Sequence, residues 1–148
     1  MTALTEARAL AAERAAVLPT KRDEYWRYTD PRDLVAETAP KAAVFDDGGE
    51  APIFEAVDCV KIVFNDGVFD AASSDDLAVA GVEISRLAEG APAWAAELYG
   101  TLETEGQTPV KRPLAALNTA KATDGVLIRV TGKAAKPVSL IYNHKSET

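Results

Sequence analysis

The side chains able to do chemistry in this 148-residue chain are few. There is one cysteine, Cys59, and one histidine, His144. A Cys/His nucleophile pair would need these two in contact. Cys59 stands at the start of an apolar run and reads as a buried, inert thiol, whereas His144 falls in a polar tail. One Cys and one His cannot assemble a Cys/His zinc site within one chain. Two adjacent carboxylate pairs, Asp46/Asp47 and Asp75/Asp76, have the composition of an acid/base couple. Neighbouring side chains point apart, however, and Asp75/Asp76 after Ser73-Ser74 reads as a turn or helix cap. No G-x-x-x-x-G-K phosphate loop and no G-x-G-x-x-G after a strand is present, and Gly48-Gly49 alone is a turn signal. No catalytic, cofactor-binding or metal-binding residue is therefore assigned, and no enzyme is expected.

The most unusual segment is Pro19-Thr20-Lys21-Arg22-Asp23-Glu24-Tyr25-Trp26-Arg27-Tyr28-Thr29, with three aromatics in four residues among alternating charges. Its plain reading is an anchor in which Trp26 fastens the first helix to the rest, burying a large ring while its N–H finds a partner. The sharper alternative is a free-standing domain that binds a small ligand or a protein through Trp26, with Arg22 or Arg27 stacked on the ring.

The surrounding elements follow from pattern. An alanine-rich helix spans 3–18, capped by Thr2 or Thr5, ended by Pro19, and striped with Leu10, Arg14, Val17 and Leu18. So narrow a stripe suits docking on a neighbour. Residues 35–56 read as loop around Asp46-Asp47-Gly48-Gly49, between Pro40 and Pro52. A strand from Cys59 or Val60 to Phe64, a turn at Asn65-Asp66-Gly67 and a second strand from Val68 to Ala72 make a hairpin. A half-buried strand at Val82–Leu87 follows, then a short helix at Pro92–Tyr99 stopped by Gly100. Leu102 to Val110 reads as irregular. The last third predicts helical turns over 112–120 and two β segments, 125–132 and 137–142.

Composition bounds the class. Apolar residues are 47% and charged residues 26%, as in an ordinary one-domain globular protein. Much of the apolar share is alanine, so a lean core is expected. No apolar run approaches the roughly 20 residues of a membrane span, and Glu13 and Arg14 interrupt any secretory h-region. A lone cysteine suits a reducing compartment, so a cytoplasmic location is expected. Net charge is −7, divided unevenly: residues 1–34 balance, 35–109 carry −12 and 110–148 carry +5. The basic residues of the tail are dispersed, with Tyr142 as the one interleaved aromatic, so nucleic acid is not an expected partner. The apolar 137–142 strand, unless paired, is an exposed edge expected to drive self-association.

Three blocks together carry a family resemblance. Pro19-Thr20-Lys21-Arg22-Asp23-Glu24-Tyr25-Trp26-Arg27-Tyr28-Thr29 resembles the "P-T-x-x-x-E-x-W-K/R-Y-T" segment near the start of SufD-type iron–sulfur cluster assembly proteins (the SufB/SufD family). Val63-Phe64-Asn65-Asp66-Gly67-Val68-Phe69-Asp70 resembles that family's "v-N-G-x-f" hairpin, and Gly81-Val82-Glu83-Ile84 its next strand. Pro113-Leu114-Ala115-Ala116-Leu117-Asn118-Thr119-Ala120, with Asp124-Gly125-Val126 and Pro137-Val138, resembles the entry to its β-helix. The order and spacing of all three fit.

The resemblance implies an α+β fold in two parts. An N-terminal α+β region, 1–110, would hold the helix, aromatic anchor, hairpin and short helices. It would lead into the first coil of a right-handed parallel β-helix, 111–148. Members of the family are much longer, so the chain corresponds to an N-terminal portion. The implied role is structural, in a scaffold subunit whose partners are a paralogous SufB-type subunit and a SufC-type ABC ATPase. The parent complex would handle an iron–sulfur cluster, with no cofactor in this portion. Trp26 and Tyr28 would pin the first helix, and Asn118 would satisfy backbone groups where the β-helix starts.

Overall fold

A computed structural model describes residues 2–38, 40–41, 43–44, 48–51, 53–101, 105 and 111–147. The fold is mixed α+β: α1 (Ala3–Arg14), β1 (Val60–Asn65), β2 (Val68–Phe69), β3 (Val82–Arg86), α2 (Ala93–Leu98), α3 (Pro113–Lys121), β4 (Val126–Val130) and β5 (Val138–Asn143). Two compact units divide these elements. One comprises residues 1–40 and 91–122 and is helical; the other comprises 41–90 and 123–148 and holds all five strands. The stretch 111–148, expected to open a β-helix, is thus shared: α3 belongs to the helical unit, β4 and β5 to the β unit.

In the helical unit the Thr2 side chain caps α1, accepting from Thr5 N–H at 3.3 Å. The helix stops at Arg14, short of the expected Leu18, because the chain tightens into a turn in which Ala16 N–H donates to Glu13 C=O. The expected Leu10/Val17 stripe is not the buried one, since Leu10 is 57% and Val17 77% exposed. Ala11 and Ala15 are buried instead, one turn apart, and α1 packs on α3, where Ala116 and Thr119 are buried. Small side chains let the two helices approach closely. Polar ties complete the packing. Arg8 donates to Ala122 C=O (2.7 Å), Arg14 to Gly100 C=O (3.1 Å), and Tyr99 Oη to Thr119 C=O (2.9 Å). Pro113 occupies the first turn of α3, where its missing N–H costs nothing.

In the β unit, β1 is the middle strand of a three-stranded sheet ordered β2-β1-β5. The β1–β2 hairpin pairs Phe64 with Phe69 and Asn65 with Val68. Its two-residue turn, Asp66-Gly67, has positive φ at both positions (47° and 80°), the type I′ geometry that matches strand twist. The second strand ends at Phe69, not Ala72. The Asp70 carboxylate captures the N–H groups of Ala72 and Ser73 and turns the chain away. The returning segment then completes β1 with side chains. Val63 N–H donates to Ser74 Oγ (2.9 Å) and Lys61 N–H to Asp75 Oδ2 (2.8 Å), while Asp75 N–H donates to Lys61 C=O. On its other side β1 pairs parallel with β5, Val60 opposite Val138 through Asn65 opposite Asn143. Strands β3 and β4 form a separate antiparallel pair. Gly81, at the mouth of that pair, has φ +78°, and a Cβ there would lie 2.2 Å from the Lys133 carbonyl oxygen. Ile62 and Phe64 are wholly buried, joined by Val60, Val63, Val82 and Leu87.

Candidate functional site

The β unit carries a cleft of about 670 Å³ beside the start of β1, lined in part by Asp58, Cys59, Lys61, Asp75, Asp76 and Lys136. Its three aspartates are all engaged. Lys136 Nζ donates to Asp58 Oδ1 at 2.6 Å, and that bond with the Asp58 charge holds the ammonium pKa above its usual value. Asp75 binds the β1 backbone, and Asp76 accepts from Ala78 N–H at 3.0 Å. Asp76 is thus a local backbone acceptor, as the turn reading expects, whereas Asp75 serves a strand fourteen residues away, and the two form no acid/base couple. Cys59 is half-buried in the cleft. His144 follows β5 at the far end of the parallel pair, because residue 60 sits opposite 138 and 65 opposite 143. A six-residue strand is about 20 Å long, so no Cys59–His144 pair forms. Asp46 and Asp47 lie outside the described residues. Among the described residues no cluster of three or more His, Cys, Asp or Glu could hold a metal ion.

In the helical unit, Trp26 sits in the 3₁₀ turn Glu24–Trp26 and is half-buried. It lines a groove of about 330 Å³ with Tyr25, Lys111, Arg112, Pro113, Leu114 and Ala115, against the start of α3. Two expectations change here. Tyr28 is 90% exposed and pins nothing; the chain turns so that only Trp26 faces inward. Arg27 lies over the Tyr28 ring, 5.4 Å from its centroid, in the one arginine–aromatic stack of this segment among the described residues. Asn118 is exposed on α3, so it does not complete the start of a β structure.

A third constellation was not anticipated from sequence. Arg86, at the end of β3, bonds the Asp124 carboxylate and the Glu89 carboxylate (3.1 Å). Its guanidinium also lies 4.2 Å from the centroid of Phe69. Asp124 retains only 9% side-chain exposure and accepts in addition from Gly125 N–H (2.8 Å) and Ala88 N–H (3.2 Å). Desolvation pulls the Asp124 pKa upward, but the bonds from Arg86, Gly125 and Ala88 outweigh it and hold the carboxyl below the ordinary value. The bond to Asp124 raises Arg86 in turn. Phe69 stands edge-on to Phe64 (5.7 Å), which stacks on Tyr142 (5.2 Å), so one face of the sheet carries a continuous row from cation to rings. The available signals were Asp124-Gly125, a turn dipeptide, and an arginine isolated in the acidic middle of the chain. The whole arrangement satisfies and fixes backbone; it presents no nucleophile with a base.

Among the described residues no helix is long and apolar enough to cross a membrane. A comparison with protein-family models and with curated proteins gives no match.

Proposed function

We propose that the chain is the N-terminal portion of a SufD-type scaffold subunit for iron–sulfur cluster assembly. In this reading it acts in the cytoplasm and contributes structure without chemistry of its own. The observation that carries this reading is the parallel β1–β5 pair, in register over six residues, with β5 at the edge of its sheet among the described residues. Stacked parallel strands are the repeating contact of a β-helix, in which each coil rests on its neighbour. Two of the resembling motif blocks supply this pair and its hairpin: Val63–Asp70 provides the I′ turn, and Pro137-Val138 opens β5. Partners of the parent would be a SufB-type subunit and a SufC-type ATPase, with the cluster carried by the assembly.

Disrupting the gene in its host is the test. Iron–sulfur enzymes such as aconitase are expected to lose activity under iron limitation and to regain it when the coding sequence is restored. Unchanged activity overturns the reading.

The groove at Trp26 favours a second reading, a free-standing domain that takes a small ligand or a protein segment between an indole face and the Lys111–Arg112 cations. Ligand binding lost in Trp26→Ala, with helical content intact and no iron–sulfur phenotype in the host, would select it.

A further inference from the structure

We propose that the Trp26 groove of the helical unit docks an acidic peptide segment of a partner protein. Carboxylates of the segment meet Lys111 and Arg112, and an apolar side chain between them lies against the indole. Docking here rests on the second reading above, in that the groove must take a ligand, but not on the chain being free-standing.

The walls of the groove select the charge of its occupant. They combine an indole, a phenol and apolar α3 side chains with two cations and, among the described residues, hold no carboxylate. In a chain of net charge −7 that lining is selective. The helical unit itself has nine basic and ten acidic side chains, so its overall charge does not cancel the two cations. Lys111 and Arg112 are exposed, and neither makes an ion pair or a side-chain hydrogen bond among the described residues. Arg32, Arg86 and Lys136, by contrast, are each held by an aspartate. No side chain caps α3, and the N–H groups of Leu114 and Ala115 in its first turn have no acceptor inside the helix. Cations and unpaired donors border one opening, and carboxylates answer both.

The rim selects a peptide over a small acid. Tyr25 is 74% exposed and Tyr28, one 3₁₀ turn further on, 90%. Arg27 stacks on the Tyr28 ring at 5.4 Å, which pairs the two at the surface. Exposed tyrosines, an arginine and a half-buried tryptophan within four residues have the composition of a protein-binding hot spot. A small acid seated at Trp26 leaves that rim unused, whereas an extended segment crosses it. One aromatic or apolar residue of the segment then enters against the indole, and its acidic neighbours reach the cations.

The test titrates a fluorescein-labelled peptide, Glu-Glu-Phe-Glu-Glu, with the purified chain and follows fluorescence anisotropy. Saturable binding is expected, weakening about tenfold in the double variant Lys111→Gln/Arg112→Gln. Both side chains are exposed, so the circular dichroism of that variant stays wild-type. Tyr25→Ser is expected to weaken binding about fivefold. Replacing every glutamate of the peptide by glutamine, or its phenylalanine by glycine, is expected to weaken it about fivefold or more. No binding at about 1 mM chain overturns the proposal, as does equal binding of the glutamine peptide or undiminished binding to the double variant. Tighter binding of a labelled oligothymidylate also overturns it, by making the groove a nucleic-acid surface. Failure of the acidic peptide, with another ligand still lost in Trp26→Ala, sinks the proposal and leaves the second reading standing. Peptide docking together with an iron–sulfur phenotype in the host does the reverse.

Discussion

The helical unit is held by small side chains, the β unit by large ones. Among the described residues, Ala11, Ala15, Ala95 and Ala116 are buried in the first, joined by Pro19, Pro31 and Pro113. The second buries Val60, Ile62, Val63, Phe64, Val82 and Leu87. Alanine removes little apolar area from water, so the helices gain their stability from close backbone approach and from arginine and tyrosine ties to carbonyls. The β unit gains its stability from area. It also places carboxylates where strand partners are missing, so Asp70, Asp75 and Asp124 act as backbone acceptors. In the helical unit Asp23 and Asp30 do the same only within turns, accepting from Thr20 and Arg32 N–H.

The contrast predicts where substitution hurts most. Phe64→Ala removes a wholly buried ring with aromatic neighbours on both sides and is expected to cost about 3–5 kcal/mol. Both tryptophans, Trp26 and Trp94, lie in the helical unit. Denaturant unfolding followed by amide exchange at Ile62–Phe64 should register this loss, with tryptophan fluorescence shifting less. Equal shifts in both signals would erase the contrast and make the two units one cooperative body.

Ala116→Leu tests the opposite principle. A larger side chain at the α1–α3 contact has no space, and the variant is expected to lose about 1–3 kcal/mol, read first by tryptophan fluorescence. A gain in stability would mean that the helices are underpacked and that their alanines are not there for close approach.

The smallest effect is expected from acid. In the β unit, Asp66 is held below the ordinary carboxyl pKa by backbone bonds from Ser146 and Lys145. Asp70 is held there by bonds from Ser73, and Asp124 by those that outweigh its desolvation. A carboxyl with a depressed folded pKa contributes stability that is fully present above its unfolded value, about 3.9, and lost as pH falls through the folded value. Among the described residues the helical unit has one such group, Asp30, bonded to Arg32. Amide protection, corrected for the intrinsic pH dependence of exchange, is therefore expected to fall in β1 before α1 as pH drops below about 4. Asp70→Asn should flatten that dependence, and identical profiles for both units would remove the electrostatic half of the comparison.

Elements with local causes were legible in the sequence. Asp66-Gly67 allows positive φ, Pro113 starts a helix, Gly100 follows one, and alternating apolar residues mark Val82–Arg86; each lies within a residue or two of its expected place. Sites were harder to read. That Asp76 serves a nearby backbone N–H follows from its neighbours in sequence, whereas the bond of Asp75 to Lys61 N–H joins separate segments and has no local signal. The Arg86–Asp124 pair joins residues from distant parts of the chain, and no local pattern announces it. The buried face of α1 was misread for a related reason. Periodicity favours the large residues Leu10 and Val17, but a close helix neighbour selects Ala11 and Ala15.

By itself the sequence determined the α+β class, the turn positions, the absence of a nucleophile–base motif and the uneven charge, because these depend on residue type and near neighbours. Only the tertiary structure decided that β5 lies parallel to β1, which alanines are buried, and that Cys59 and His144 stand at opposite ends of one sheet. Such outcomes depend on which distant segments meet. They are set by the balance between the entropy of closing long loops and the area and hydrogen bonds gained, a balance struck over the whole chain.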